Sequence, residues 1–269
     1  MKKYIIALLL FSAIAVSCGS DDKDSGSKVE YGRPTRIYQD NGQGYTFEYN
    51  GRQLVKMTAN DGSLEYEYQK GELVATSNVY RDIEDPSVWR KAKTIYKRSG
   101  SRITSRTSRD ESAEWWESEY ELDGQGRTIR VVDKGQFRYE MDGSIKNIVP
   151  GNGSYFMSYD SRTGSLIKTD RLDNDGILKS TYVFSYDQKA GLSSLADLPL
   201  WYRTVAISGI GRMEPLLLFY LCYSGNLAMS TYIVAGSATP QVTGITYEYN
   251  DSGYPSGFSL DSDAWHIEY

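Results

Sequence analysis

The 269 residues carry 30 Lys plus Arg against 35 Asp plus Glu, a net charge of −5, with the basic residues scattered and no basic stripe for nucleic acid to bind. Tyr is abundant at 23, but there is one His and there are two Cys. A single His leaves a Ser or Cys triad and a His-based zinc site short of parts, and two Cys cannot build a disulfide scaffold.

At the start of the chain, Lys2 and Lys3 precede an apolar run over residues 4–16. That run is too short to cross a bilayer and has the plan of a secretory signal, so residues 1–17 are expected to be a signal peptide. Ala15, Val16, Ser17 and Cys18 resemble the lipobox of bacterial lipoproteins, although the consensus has leucine where this chain has Ala15. The resemblance implies cleavage before Cys18 and lipidation of its thiol, which would anchor the protein to the outer membrane; an ordinary signal with an incidental cysteine is the alternative. Residues 18–28 are Gly, Ser, Asp and Lys behind the cysteine, a composition that cannot bury enough surface to fold and reads as a flexible acidic tether. Asp21, Asp22, Lys23 and Asp24 also resemble the surface-export tag of Bacteroidetes lipoproteins, with a plain solvated linker as the alternative.

Residues 29–269 fit one all-β domain, since sandwiches and barrels reach this size undivided. A single unit recurs along them at irregular spacings of roughly 17 to 30 residues. Alternating aromatics enter an Asx/Gly turn, and an aliphatic segment returns. Tyr45, Phe47 and Tyr49 run into Asn50 and Gly51, then Leu54; Tyr66 and Tyr68 run into Lys70 and Gly71, then Leu73. Later copies end at Leu122, Met141, Tyr159, Tyr186 and Tyr249, each followed by a turn, and residues 265–269 form the last strand. Further turns at residues 40–42, 60–62 and 173–176 lie at the opposite ends of these strands and supply the positive-φ residues of short hairpins. Turns at both ends of successive strands predict an up-and-down antiparallel meander.

Strand side chains alternate, so Tyr45, Phe47 and Tyr49 share one face, with Phe137, Tyr139, Met141 and Tyr182, Phe184, Tyr186 as its equivalents. Glu48, Arg138, Glu140 and Ser185 take the other. A long sheet with one aromatic face must cover it, by curling into a half-open or closed barrel or by packing something on top.

Between residues 82 and 112 the chain is charged and weakly periodic, with strands predicted at 93–97 and 102–108 around the turn 99–101; its loops are places for binding residues. Trp115 and Trp116 follow. Neighbouring strand residues face opposite sides, so one of the two leaves the core and both are candidates for ligand contact. From residue 192 to 230 the repeat is lost and apolar clusters appear at 198–202 and 216–223. Pro215 before the second cluster and Gly225 after it predict a short helical or irregular cover, with one more buried strand as the alternative.

Groups that could carry chemistry are few. His266 alternates onto the polar face near the end of the chain, and Cys222 in its apolar run reads as a buried thiol. Asp170, Asp173, Asp175, Asp261 and Asp263 are rich in oxygen, but placing Gly176 at the glycine of an EF-hand loop puts Arg171 where the first ligand belongs. Turn conformation explains those aspartates, and no metal or cofactor is expected. Glu48, Glu65, Glu67, Glu119, Glu121 and Glu140 lie on strands, where a carboxylate pair for glycoside hydrolysis would have to be found. Acidic residues alternating on a wet face also discourage edge-to-edge association.

The lipobox, the acidic tether, the repeated Tyr-x-Tyr-Asx-x-x-Gly units and the late apolar insertion together resemble the Bacteroidetes surface lipoproteins known as a domain of unknown function with a porin-like fold. A weaker similarity, at Tyr159-Asp160 and Tyr186-Asp187, is to the tyrosine-aspartate repeats of Rhs shell proteins, for which this chain is too short. The first resemblance implies an outer-membrane, cell-surface lipoprotein and carries no catalytic residues. The expectation is a non-catalytic binding module for a glycan or protein. A structural or assembly lipoprotein is the alternative, and a carboxylate-based glycoside hydrolase is third.

Overall fold

The computed structural model describes residues 33–82, 84–110, 112–205 and 215–269. The signal peptide, Cys18 and the tether read from the sequence lie outside the described residues. The first eight strands are β1 (Arg36–Tyr38), β2 (Gly44–Asn50), β3 (Gln53–Ala59), β4 (Gly62–Gln69), β5 (Glu72–Arg81), β6 (Trp89–Ser99), β7 (Arg102–Arg109) and β8 (Glu114–Leu122). The rest are β9 (Thr128–Tyr139), β10 (Ile145–Tyr159), β11 (Leu166–Leu172), β12 (Leu178–Tyr186), β13 (Leu227–Val234), β14 (Gln241–Tyr249), β15 (Pro255–Leu260) and β16 (Asp263–Glu268). Each strand pairs antiparallel with its sequence neighbours, and β1 also pairs with β16, Ile37 opposite Ile267 and Tyr38 opposite His266. The meander is therefore a closed sixteen-strand barrel, which leaves no free sheet edge along its wall.

The repeat read from the sequence has a physical basis at one end of this barrel. Tyr49 stands opposite Leu54, Tyr68 opposite Leu73, Tyr159 opposite Leu166, and in each pair the register shifts by a β-bulge at the tyrosine. The bulge inserts one extra residue on the returning strand. It turns Leu54, Leu73 and Leu166 into the lumen, where all three are buried. The same tyrosines then reach back across the sheet: Tyr49 donates its hydroxyl to the Pro34 carbonyl at 2.9 Å, Tyr68 to Leu54 at 3.0 Å and Tyr159 to Thr128 at 2.6 Å. Each such bond is worth about 1 kcal/mol. Asx side chains close the turns; Asp123 Oδ1 accepts the N–H groups of Gln125 and Arg127 ahead of Gly126, whose φ of +77 suits glycine.

All these turns lie at the end where residues 187–226 connect β12 to β13. That connection enters the lumen. It contains α1 (Leu200–Val205) and α2 (Pro215–Leu221), and it ends earlier than the sequence reading placed it, because residues 227–230 already belong to β13. Pro215 opens α2 as expected, whereas α1 is short enough for its apolar run to hide its periodicity. Leu218, Phe219, Tyr220 and Leu221 are buried among inward strand residues, with Phe219 stacked on Phe47 at 4.5 Å and Trp201 edge-on to Tyr96 at 5.0 Å. Two polar ties fix the connection to the rim: Arg52 Nε donates to the Leu195 carbonyl at 3.0 Å, and Asp197 N to Arg52 at 2.7 Å. Among the described residues the connection fills one end of the barrel, the plug end, and leaves the opposite, open end uncovered.

One unit departs from the expected facing. Phe137, Tyr139 and Met141 do not join the aromatic core with Phe47 and Phe184; Tyr139 is half exposed, and Met141 is fully exposed at the hairpin turn. The cause is a bulge on β9: Asp133 stands opposite Ser118 and Gly135 opposite Glu117, so Lys134 is an extra residue, the alternation reverses, and Phe137 comes opposite Trp115 on the outer face. Two register shifts, at Asn147/Val149 and Pro150/Gly153, carry the β9–β10 hairpin past the barrel, where β10 pairs with β11 only from Ser154 onward. Glycine permits this crossing, since a Cβ on Gly151 would sit 1.9 Å from the Asp133 carbonyl oxygen.

Candidate binding surfaces at the two ends of the barrel

Outside the barrel, the strand glutamates are engaged with basic neighbours. Glu65 meets Lys56 at 3.0 Å, Glu67 meets Lys93 at 3.6 Å, and Glu119 and Glu121 both meet Arg102; Glu140 meets Arg138 at 3.1 Å, where Arg138 stands opposite Glu114 on the other face. Exposed pairs of this kind add little stability but keep the wall hydrated. Glu48 faces the same side, opposite Lys56. His266 is half exposed on this outer face, with Nε2 3.1 Å from Asp40 Oδ1 and its ring against Tyr38. Cys222 is fully buried and accepts the Leu227 N–H at 3.1 Å; burial pushes its thiol up to about 12, which keeps it protonated and unreactive. Asp170 accepts from Lys168 and Thr181, and Asp173 from Lys179 and its own turn. Asp175, Asp261 and Asp263 lie in turns or at a strand start.

Trp115 and Trp116 do face opposite sides. Register through β7 places Trp116 on the lumen-side face with Ser118 and Tyr120, and Trp115 on the outer face with Glu117. Trp115 is nevertheless only 7% exposed, because Arg106 lies over its ring at 5.0 Å and Tyr139 packs at 4.8 Å. Trp116 is half-buried near the open end of the barrel, where β8 begins.

Two concave regions lie at the barrel ends. At the plug end a cleft of about 580 Å³ opens between the connection and the rim, with Trp201, Tyr96, Leu200, Arg98, Glu72 and Asp197 among its walls. Beneath that rim Arg203 is buried, donating to Ser193 Oγ at 2.8 Å and the Ala196 carbonyl at 2.6 Å. Burial pulls its guanidinium down to about 10, and the Tyr223 ring lies 5.1 Å away. These contacts hold the connection rigid. At the open end a cavity of about 630 Å³ lies beside β11, β12 and β13, with Arg171, Ser180 and Tyr232 on its walls. Sequence reading met Arg171 only as the residue that breaks an EF-hand pattern and did not single out Tyr232. Their signal is parity: Arg171 shares a strand face with the buried Thr169 and opposes Tyr155 and Ser180.

No protein-family model and no curated protein matches the chain. Among solved structures it is similar to a porin-like protein from Bacteroides vulgatus ATCC 8482, at 12% identity over 88% of this chain and 98% of that one, with a TM-score of 0.39. It is also similar to a porin-like protein from Bacteroides uniformis ATCC 8492, at 12% identity over 87% of this chain and 93% of that one, with a TM-score of 0.38.

Proposed function

We propose that this protein is a non-catalytic binding module of the cell envelope, tethered to the outer membrane through a lipid on Cys18 and engaging a glycan or protein at the open end of its barrel. The observation that carries this reading is polarity of the fold. The described chain enters the wall at β1 and leaves it at β16 on the plug end, so a tether running from Arg33 presents the open end away from its anchor. A lumen packed with Phe219, Trp201 and Tyr202 favours a rigid scaffold over a conduit. Ion pairing of the strand glutamates argues against a hydrolytic carboxylate pair, which needs one free acid and one free base.

The projecting β9–β10 hairpin, with Tyr139, Met141 and Ile145 exposed, favours the second reading, a structural lipoprotein that docks on an envelope neighbour. Two experiments separate the readings. Cys18→Ala should release the protein from the membrane fraction, and retention after a salt wash contradicts the anchor. On a glycan and protein array, Trp116→Ala should weaken capture while leaving the melting curve unchanged. Silence of the native protein across the array, with envelope defects on deletion, favours the structural reading.

A further inference from the structure

The open-end cavity holds a positive charge that no described residue pairs. Arg171 sits on the inward face of β11, yet no hydrogen bond or ion pair holds its guanidinium among the described residues, and its Nε is buried without a partner. Its guanidinium carbon lies 6.0 Å from the centroid of the Tyr155 ring. The other charges on the cavity wall cancel, since Lys179 and Asp173 pair at 2.7 Å. A buried Nε donor without an acceptor is costly until one arrives, and the planar fork of the guanidinium matches a carboxylate.

Around that charge the wall carries one aromatic ring and several apolar side chains among polar ones. Tyr232 stacks on Tyr182 at 4.4 Å, which fixes a ring at the cavity side. Leu178 and Val234 flank it and are 45% and 42% exposed, so their apolar surface is left for an occupant to cover. Ser180 and Asn152 add polar groups on the same wall. A ring and a guanidinium on the walls of one cavity suit a sugar whose C–H face lies on the aromatic and whose carboxylate meets the charge.

We propose that this cavity binds a carboxylate-bearing saccharide, with Arg171 holding the carboxylate and Tyr232 the sugar face. The proposal deepens the binding-module reading and rests on it. Its test uses the full chain in detergent micelles, titrated calorimetrically with tetragalacturonate and with the same oligosaccharide methyl-esterified. The acid form should bind, and both esterification and Arg171→Gln should weaken it roughly 10- to 100-fold, as loss of a charged hydrogen-bonded contact does. Arg171→Lys should keep part of the affinity, and Tyr232→Ala should weaken both the acid and ester forms. Melting curves verify that each variant is folded, and a variant that does not fold is replaced by the ester comparison, which leaves the protein untouched. Equal binding of acid and ester, or an Arg171→Gln protein that binds as well as the native one, overturns the proposal. No binding of tetragalacturonate, glucuronate or sialyl oligosaccharides also overturns it. In that case capture of a neutral glycan or a protein on the array leaves the module reading standing, and silence there removes both.

Discussion

Replacing Phe219 with alanine asks whether the connection inside the barrel is part of one core or a loose lid. Phe219 has no exposed surface, and its ring stacks on the buried Phe47 with centroids 4.5 Å apart and 21° between planes. Truncating a buried phenylalanine removes its transfer free energy and leaves a cavity, a loss of about 3–5 kcal/mol. The ring-on-ring contact accounts for about 0.5–1.5 kcal/mol of that. A double-mutant cycle with Phe47→Ala isolates this coupling, because each single change removes the stack without making a new one. Urea unfolding followed by the fluorescence of the buried Trp201 and Trp265 reads the loss, and the transition should stay single and move to lower urea. A loss below about 1 kcal/mol, the size of an ordinary substitution, would refute the reasoning. So would two transitions with the connection melting first.

Tyr68→Phe deletes only the hydroxyl that reaches the Leu54 carbonyl, and should cost about 1 kcal/mol in the same urea assay; an unchanged midpoint would deny the tyrosine bonds a share in stability. Gly151→Ala would drive a methyl group against the Asp133 carbonyl, so the variant should lose hydrogen-exchange protection in the β9–β10 hairpin, and unchanged protection would contradict the described crossing. Burial raises the phenols of Tyr66, Tyr186, Tyr202 and Tyr247 well above their ordinary value and Tyr220 to about 12. Their folded pKa values lie above the unfolded ones, so the stability they hold is full below pH 10 and drains away above it, at up to about 1.4 kcal/mol per pH unit for each. Absorbance at 295 nm should therefore show these tyrosines ionising late and together with unfolding, whereas smooth titration near pH 10 in a folded protein would contradict their burial.

Much of the wall was legible in the sequence because each hairpin is a local event. Tyr49, its turn and Leu54 lie within a few residues of one another, and the same is true of Tyr68 with Leu73. Closure is a different kind of fact. It rests on Arg36 pairing with Glu268, and no local pattern encodes that contact, so a half-open and a closed sheet stayed equally compatible with the repeats. The Phe137 unit misled because a bulge at Lys134 reverses the alternation of β9 before Phe137, which comes opposite Trp115 on the outer face; the strand pattern alone does not show an extra residue of that kind. Pro215 announced α2, but six residues of α1 gave no period to read. At the candidate site, the Trp115 and Trp116 alternation held, yet what covers Trp115 depends on Arg106 from the neighbouring strand. Arg171 was hidden for a related reason: its inward facing follows from the pairing of β10, β11 and β12, and the want of a partner for its Nε among the described residues follows from everything around it.

Native-state hydrogen exchange tests most directly the claim that this is a closed barrel filled by its own chain. Amides of Leu218, Phe219 and Tyr220 in α2, together with Ile37 and Ile267 at the seam between β1 and β16, should exchange only through global unfolding, with the same free energy and the same urea dependence as Met57 in β3. Exchange of the α2 or seam amides at markedly lower free energy, insensitive to urea, would mean that the connection opens or the sheet parts while the rest of the wall stays folded, and would contradict the account.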